Sequence, residues 1–288
     1  MSKDTLRIAF VDFWPEISQE DIFTPILSEK YNIVVDNNKP DVIFHSLFNR
    51  LQGIVKYPRS IKRIMWIAEN WRYSQFDTDF AISFDPHDER NFRLPLWQAY
   101  ILLKPEYKNK LFNRINYDSF DRFCSFTVSN PSNFSRNGMY LSLNEYKRVH
   151  SYGRYMTNSL ELQQASQGRY WRDAKDEFFL KNKHKFSITY ENNSYPYYVT
   201  EKLMDGFLAG SLPIYWGASR VAEDFNEKAF INATKIGNRS ALEIVKRLDN
   251  NESEFRDIYT QPVFTSEQKN KLNENLESFK YWLLEKIK

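Results

Sequence analysis

The sequence is poor in cysteine and in long hydrophobic runs. Its 288 residues contain one cysteine, Cys124, which excludes an intramolecular disulfide and fits a reducing compartment. No apolar run reaches the roughly 18 residues of a membrane span. The first residues lack the charged start, apolar stretch and cleavage site of a signal peptide. We therefore expect a cytoplasmic protein, with peripheral contact to the inner membrane as an alternative.

The sequence also lacks a large excess of positive or negative charge, a paired pattern of histidine or cysteine metal ligands, and the glycine-rich motifs that bind nucleotides. Lys and Arg total 40 against 37 Asp and Glu, and the net charge of +3 is too small to predict a nucleic-acid surface. Neither a G-x-G-x-x-G motif nor a Walker A loop occurs, which argues against dinucleotide binding and ATPase activity. No paired metal-ligand spacing links the histidines, which are His45, His87, His150 and His184. A zinc site is therefore not expected.

Aromatic residues, by contrast, are abundant. They make up 17% of the chain, with 18 Tyr, 23 Phe and 7 Trp. Aromatic rings stack well on sugar faces and bases, so the excess favours a sugar or nucleotide ligand. The chain is also rich in Asn and Lys, which leaves codon bias as an alternative source of the excess.

Apolar runs of strand length alternate with helical periodicity in both halves of the chain. In the first half we predict strands at 6–13, 33–35, 41–44, 61–68 and 80–84, and a helix over 20–30. In the second half we predict strands at 123–128, near Val149, and at 186–190, 212–216 and 229–231, with helices over 132–146, 157–181 and 201–209. This alternation is typical of βαβ units and a parallel sheet. Residues 85–116 lack clear periodicity and are predicted to be an irregular connection.

Two such halves predict an α/β protein with two Rossmann-like domains facing each other across a cleft. The predicted domains are residues 1–117 and 118–265, and ligands are expected beyond the carboxyl ends of the strands. A helix over 266–288 then places Leu272, Leu276, Phe279, Leu283 and Ile287 on one face. This stripe either packs on the protein body, which we favour, or lies on a membrane surface.

Residues 186–217 hold the most informative pattern. An apolar strand ends in Glu191 and Asn192, a polar aromatic loop follows, and a helix is predicted to start near Thr200, whose hydroxyl would cap it. Lys202 would add a full positive charge to the helix start, and Glu201 can accept hydrogen bonds from ribose hydroxyls. We therefore predict a nucleotide pocket; the alternative is that both side chains are merely surface residues of the first turn.

A second basic candidate, Arg136, follows the strand predicted at 123–128. Asn130 is predicted to cap the next helix, with Pro131 at its first position. Arg136 would then lie one to two turns into the helix, where its guanidinium can reach a diphosphate. A solvated helical arginine is the alternative for such a residue taken alone.

Glu69 is the candidate general base. It follows a predicted strand and is flanked by Trp66 and Trp71, aromatic residues able to line an acceptor sugar site. The alternative is a solvated residue at a strand end. Asp77 and Asp79 form the D-x-D pattern that holds a metal ion in sugar-nucleotide transferases of another fold. Here the pattern precedes a predicted strand, so we expect a structural role.

Several of these segments resemble the signature of the α1,3/4-fucosyltransferases, glycosyltransferase family 10. The similar residues are Tyr190-Glu191-Asn192-Asn193-Ser194, Tyr198-Val199-Thr200-Glu201-Lys202, Gly210, Pro213 and Gly217. The similarity extends in family order to Glu69-Asn70, to Ser129-Asn130-Pro131 with Arg136, and to Tyr152-Gly153-Arg154.

The resemblance implies a GT-B fold, GDP-fucose as donor and inversion at the anomeric carbon, with no metal or other cofactor required. It implies that Glu69 is the general base, that Arg136 and Lys202 bind phosphate and that Glu201 contacts the ribose. Asn192 and Tyr198 match further donor-site residues. The expected acceptor is N-acetylglucosamine in a galactosyl-N-acetylglucosamine glycan, giving a Lewis-type product. Alternatives are a GT-B transferase for another nucleotide sugar and a carbohydrate-binding protein without turnover.

Overall fold

The predicted alternation of strands and helices is present in the structure, a computed structural model that describes residues 3–14 and 19–288. The chain divides into two compact units, of which the first contains Met1–Pro105 and Lys271–Lys288 and the second contains Glu106–Asn270. Each unit is built on its own parallel sheet. The α/β fold class is therefore confirmed.

The first unit has a sheet whose described strands follow the order β2-β1-β3-β4-β5-β6. The strands are β1 (Thr5–Val11), β2 (Asn32–Val35), β3 (Val42–His45), β4 (Lys62–Trp66), β5 (Phe80–Ser83) and β6 (Asn91–Arg93). The helices within this part of the chain are α1 (Gln19–Ser28) and α2 (Leu96–Leu103). All residues of β3 are buried, as expected for a parallel strand covered on both faces. Stacked rings fill the core beside it, with Phe23 and Phe44 centred 4.7 Å apart.

The C-terminal helix (Ser266–Lys286) contributes most of its length to the first unit. Its apolar stripe is buried, and the rings of Phe279 and Trp282 pack against Phe92. This burial favours the predicted packing on the protein body over a position on a membrane surface. None of the helices in the described ranges is long and apolar enough to cross a membrane.

The second unit has a sheet in the order β11-β10-β9-β7-β8. The strands are β7 (Arg122–Phe126), β8 (Val149–Ser151), β9 (His184–Ile188), β10 (Leu212–Tyr215) and β11 (Ile231–Asn232). Its helices include α3 (Glu106–Phe112), α4 (Phe134–Tyr146), α5 (Glu161–Ala165), α6 (Trp171–Lys181), α7 (Lys202–Leu208), α8 (Ala233–Ile236), α9 (Asn238–Asn250) and α10 (Glu252–Tyr259). The apolar residues of β9, Phe186 and Ile188, are buried, and polar residues follow where this central strand ends.

Residues 85–116 are not irregular, so that prediction is wrong. They form β6, α2 and α3. The division between units falls at Glu106 rather than near Asp118, because α3 belongs to the second unit, where Tyr107 accepts a hydrogen bond from Arg172 of α6 at 3.2 Å. The short strand and helices were hard to recognise because the prolines interrupt any regular pattern.

The helix predicted over 157–181 is two helices, α5 and α6. Gly168 lies between them with a φ of +69°, a left-handed conformation that ends a helix. The sequence reasoning also missed α8, α9 and α10, which follow β11. In α9 the apolar residues recur at helical spacing, and Ala241, Val245 and Leu248 are buried on one face.

Candidate active site

Three segments of the second unit meet at the carboxyl edge of its sheet. Glu191, just beyond β9, joins two of them through its main chain. Its N–H donates to the carbonyl of Trp216 at 2.8 Å, and its carbonyl accepts from the side-chain amide of Asn133 at 2.7 Å. The carbonyl oxygen of the Asn133 side chain accepts from the backbone N–H of Arg136 at 3.0 Å. Asn133 thereby fixes the first turn of α4 against the end of β9.

The prediction that Asn130 caps this helix is wrong. Asn133 is the N-cap of α4, and the side chain of Asn130 accepts from the N–H of Ser132 at 2.9 Å in a turn before the helix. The displacement by three residues places Arg136 in the first turn rather than one to two turns in. Both residues are good capping types, and local sequence alone does not choose between them.

Arg136 is a fully buried cation, with none of its surface exposed. One terminal nitrogen donates to the side-chain oxygen of Asn192 at 2.8 Å and the other donates to the carbonyl of Asn130. Both acceptors are neutral, so these bonds leave the positive charge of the guanidinium uncompensated. Burial lowers the pKa of Arg136, whereas the negative charge of Glu191 acts in the opposite direction. Among the described residues, its Nε has no hydrogen-bond partner.

Glu191 is a buried carboxylate next to this cation, also with none of its surface exposed. It accepts from the N–H of Thr200 at 2.8 Å and from its hydroxyl at 2.6 Å. Lys202 Nζ lies 3.5 Å from the second carboxylate oxygen. Burial raises the pKa of Glu191 to about 7, although the charge of Lys202 lowers it. The sequence reasoning placed Glu191 in the motif but gave it no role.

Thr200 is therefore not the cap that the sequence predicted. Its hydroxyl is taken up by Glu191, and α7 begins at Lys202 with Glu201 before it. Lys202 Nζ donates to the Thr200 hydroxyl at 3.1 Å and lies 3.4 Å from a carboxylate oxygen of Glu201. Burial raises the pKa of Glu201, but the positive charges of Lys202, Lys175 and Arg172 outweigh it and bring this pKa to about 2. Glu201 is thus ionised at neutral pH, and both of its carboxylate oxygens can accept hydrogen bonds from hydroxyl groups.

Tyr198 lies buried in the same segment, and its N–H donates to the carbonyl of Tyr195 at 3.1 Å. It also lies near Arg136. The second unit therefore contains all five predicted donor-site residues, and direct contacts link Arg136 to Asn192 and Lys202 to Glu201. Their role as ligands of a nucleotide stays a prediction.

A pocket beside Lys202 adds residues that the sequence reasoning missed. Its empty space is about 530 Å³, part of it open to solvent. The polar lining comes from Ser125, Thr127, Lys175, Ser187, Thr189, Glu201, Lys202 and Asp205. Lys175 pairs with Asp205, which also binds Arg172. A lysine within an amphipathic helix such as α6 is usually a surface residue, so no local pattern singled out Lys175.

Glu69 follows β4 at the carboxyl edge of the first sheet and is partly exposed. Its carbonyl accepts from the N–H of Trp71 at 2.7 Å. The neighbouring Asn70 accepts from Arg72, which also donates to Asp85 at 2.7 Å. The loop that carries Glu69 is thus tied to Asp85, the second residue after β5, and this contact holds the loop in place. The role of Glu69 as general base stays a prediction.

The two tryptophans predicted to contact an acceptor differ sharply in exposure. Trp71 is 54% exposed, so part of its ring is accessible from solvent. Trp66 is 2% exposed, and its ring packs against Phe13 and Phe23. Because a core ring presents no free face, we withdraw Trp66 as an acceptor contact and keep Trp71 as a prediction.

The D-x-D pattern has the structural role expected for it. Arg59 donates to Asp77 and to Asp79, each at 2.8 Å, and Asp79 accepts from the N–H of Arg63 at 2.8 Å. Both carboxylates are therefore engaged in joining the loop before β5 to the start of β4.

Solved structures with a similar fold support this architecture. A crystal structure of an α1,3-fucosyltransferase with GDP-fucose is 24% identical, has a TM-score of 0.72, and covers 98% of this chain and 91% of its own. The Anabaena protein HepE in complex with UDP-glucose is 10% identical, with a TM-score of 0.52, and covers 95% of this chain and 100% of its own. At these identities the likeness concerns the fold alone.

Two successive units with parallel sheets, each with polar residues at the carboxyl edge, define a protein of the GT-B fold class. Residues 119–279 match the model of the C-terminal part of glycosyltransferase family 10, the fucosyltransferases, and residues 8–100 match an α-(1,3)-fucosyltransferase FucT N-terminal domain. The chain belongs to glycosyltransferase family 10.

Relatives from bacteria and plants are also similar in sequence. The α-(1,3)-fucosyltransferase FucT of Helicobacter pylori is 30% identical over 321 aligned residues, which cover 97% of this chain and 64% of the relative. An α-(1,4)-fucosyltransferase of Arabidopsis thaliana is 41% identical over 66 residues, or 23% of this chain and 16% of the relative. The chain thus spans less than two thirds of the length of these relatives.

Proposed function

We propose that the protein transfers L-fucose from GDP-fucose to O3 of N-acetylglucosamine in a galactosyl-N-acetylglucosamine glycan, with inversion at the anomeric carbon. Family membership and the names of the similar proteins support the donor and the linkage. The expected product is of the Lewis type.

The observation that carries the proposal is the buried charge of Arg136 at the edge of the second sheet. The two acceptors of its hydrogen bonds, the side chain of Asn192 and the carbonyl of Asn130, are neutral, and Lys202 adds a second cation within the same unit. Keeping a cation buried without direct neutralisation costs free energy, so such a charge is expected where an anion binds. A diphosphate carries the matching charge, and arginine can contact two of its oxygens at once.

In the proposed reaction the acceptor O3 attacks the anomeric carbon of fucose from the face opposite GDP. The new bond forms between O3 and this carbon, while the bond from the carbon to the phosphate oxygen breaks. Glu69 takes the proton of the acceptor hydroxyl. Arg136 and Lys202 stabilise the negative charge that builds on the departing GDP, an effect worth about 3 to 4 kcal/mol for a single well-placed donor. Glu201 holds the ribose, and no resident cofactor is needed.

The test is incubation with GDP-fucose and acceptors of both the lacto and neolacto types, followed by NMR determination of the product linkage. We expect an α1,3-linked fucose on N-acetylglucosamine. GDP-mannose and UDP-sugars serve as competing donors in parallel reactions. Transfer from one of these in preference to GDP-fucose would replace the proposed donor, and an α1,4 linkage would replace the proposed regiochemistry.

A carbohydrate-binding protein without turnover would give a different result. Such a protein has no use for cations that bind a nucleotide, so it would bind glycans but not GDP. Measurable GDP affinity together with no transfer to any acceptor would leave the donor site in place and contradict the proposed reaction.

A further inference from the structure

The mechanism above uses the cations around Glu191 but not Glu191 itself. This side chain is completely buried, yet it is an acid next to the residues assigned to a diphosphate. Lys202 Nζ lies 3.5 Å from one of its oxygens, and Thr200 donates to both oxygens. An anion in this place repels the phosphates that Lys202 is proposed to bind, so its charge needs an explanation.

The Glu191 side chain cannot easily turn away. A Cβ atom on Gly217 would lie 2.4 Å from its Cγ, so the backbone of Gly217 packs directly on it. The main chain of Glu191 is bonded to Trp216 and Asn133 on either side. Since the carboxyl group stays in place, the arrival of a diphosphate must change its charge or its partner rather than its position.

Charged and titratable groups face Glu191 from each element around it. Glu201 immediately precedes α7 and Lys202 is its first residue. Arg136 comes from α4, and Tyr215 comes from β10. Burial raises the pKa of Glu191 to about 7, with Lys202 lowering it and Glu201 raising it. A small change in the balance of nearby charge therefore decides whether the group is ionised at neutral pH.

We propose that Glu191 is a positioning residue that holds Lys202 and Thr200 in the free protein and takes up a proton from solvent when a nucleoside diphosphate binds. The incoming phosphates draw the charge of Lys202 toward themselves and disfavour a second anion close by. Protonation removes that repulsion. The neutral carboxyl group still accepts from the N–H of Thr200 and can donate its own proton to the Thr200 hydroxyl, so the loop keeps its shape.

Because Lys202 is assigned to the diphosphate only in the proposed function, this role of Glu191 rests on that function. The two fail in distinguishable ways. If the wild-type protein does not bind GDP at any pH, both are overturned. If it binds GDP without protonation of Glu191, the donor site stands and only the role of Glu191 is overturned.

The experiment is calorimetric titration with GDP from pH 6 to pH 8.5, in pairs of buffers with different ionisation enthalpies. The wild type is compared with Glu191→Gln, which keeps the size of the side chain but carries no charge. Its amide oxygen can accept from the N–H of Thr200, and its NH2 group can donate to the Thr200 hydroxyl, as the protonated acid would. Glu243→Gln is the matched control, because Glu243 is an exposed residue of α9 that pairs with Lys246. The ionisation of free GDP is the same in all three experiments, so a difference in proton uptake between the proteins arises from the substitution.

We expect the wild type and Glu243→Gln to take up a fraction of a proton above pH 7 that Glu191→Gln does not. Their GDP affinity should fall relative to Glu191→Gln by up to about tenfold across this range, since one unit of pKa shift on binding corresponds to a factor of ten. The role of Glu191 would be overturned if the wild type and Glu191→Gln took up the same number of protons on binding GDP, or if their GDP affinities changed with pH in parallel.

A second measurement keeps the inference testable if Glu191→Gln does not fold. GDP-fucose without acceptor has no phosphate group that titrates in this range, so any proton taken up from solvent on binding goes to a group of the protein. Uptake by the wild type that grows above pH 7 is the expected result. No uptake at any pH would contradict the inference without reference to a variant.

Discussion

The same dipeptide, Glu-Asn, stands at corresponding places in the two units. Glu69-Asn70 follows β4 and Glu191-Asn192 follows β9, and in each case the glutamate is the third residue beyond the strand. Glu69 is partly exposed, whereas Glu191 is fully buried. A central parallel strand therefore delivers an acid to the edge of the sheet in both units, but the surroundings of the acid decide what it can do.

In both units the asparagine accepts a hydrogen bond from an arginine. Arg72 donates to Asn70 and also to Asp85, a salt bridge with an N–O distance of 2.7 Å. Arg136 donates to Asn192 and to a neutral backbone carbonyl. The charge of Arg72 is thus balanced by an acid, whereas that of Arg136 is not balanced by its acceptors. One arginine is suited to holding a loop and the other to binding an anion.

The largest effect is expected from removing Glu69, the partly exposed acid. Glu69→Ala should lower the rate of fucose transfer by about 10²- to 10⁴-fold, the range supplied by a general base. GDP affinity should stay within about twofold, because Arg136 and Lys202, the cations proposed to bind phosphate, belong to the other unit. Transfer kinetics and calorimetric titration measure the two quantities.

Glu89→Ala is the control for this change, because Glu89 is an exposed acid of the same unit. It should behave as wild type. Retained turnover in Glu69→Ala would remove Glu69 from the role of base, and a parallel loss of GDP affinity would show that the effect is not on the chemical step.

The second prediction concerns the cation beside the buried acid. Lys202→Met should weaken GDP binding by about ten- to a hundredfold, since a hydrogen bond to a charged group is worth about 1.5 to 3 kcal/mol. The calorimetric titration with GDP is carried out at pH 6, where Glu191 is mostly protonated. At this pH the loss of Lys202 does not leave Glu191 as an anion without its cation. Lys235→Met is the control, because Lys235 is an exposed partner of Glu227. Equal GDP affinity in Lys202→Met and the control would count against the donor site.

The third prediction is that the free energy of unfolding depends on pH through Glu191, because this acid is buried. Its pKa is about 7 in the folded protein against an ordinary value of 4.5, so between these values the folded state binds more protons than the unfolded chain. The stabilising contribution of the group is complete below pH 4.5 and is lost as the pH rises through 7. Glu191→Gln has no proton to lose. Relative to wild type, it should therefore gain about 2 kcal/mol in free energy of unfolding between pH 5 and pH 8.

Urea unfolding at the two pH values measures this difference. The buried histidines His45 and His184 are common to both proteins, so their own pH dependence cancels. Glu243→Gln, an exposed substitution of the same type, should show no such gain. If the free energies of unfolding of Glu191→Gln and wild type differ by the same amount at pH 5 and at pH 8, then the pKa of Glu191 in the folded protein is near its ordinary value.

Much of this arrangement could be predicted from the sequence. The apolar runs before Glu69 and Glu191 predicted strands, and polar residues directly after a parallel strand are expected at one edge of the sheet. What the sequence did not reveal depends on contacts between distant segments. Whether Asn130 or Asn133 caps α4 is decided by the amide of Asn133 reaching the carbonyl of Glu191.

The same reason explains the error at Thr200 and the part of the C-terminal helix that the sequence left open. The hydroxyl of Thr200 suits a helix cap, but the buried oxygens of Glu191 take it instead. The stripe of the C-terminal helix predicted burial but not the surface that would cover it. Its aromatic partner, Phe92, lies in β6, within the stretch predicted to be irregular.

The smallest predicted effect concerns Arg72, which we expect to position the loop that carries Glu69. Arg72→Met removes both hydrogen bonds but keeps a long side chain against Phe84, whose ring centre lies 4.3 Å from the guanidinium carbon. We expect the transfer rate at saturating substrate to fall about tenfold, because small displacements of a reacting group are costly. GDP affinity should stay within about twofold, since the proposed donor site belongs to the other unit.

A double-mutant cycle separates this positioning from a general loss of stability. If Arg72 acts through its bond to Asp85, then Asp85→Asn should give a similar loss of rate, and combining it with Arg72→Met should add little. Arg247→Met is the control, because Arg247 is an exposed partner of Glu254 in the second unit. Additive losses would show that the two residues act separately. An unchanged rate in Arg72→Met would mean that Glu69 keeps its place without this arginine, and the likeness between the two Glu-Asn segments would then be limited to their position after the strands.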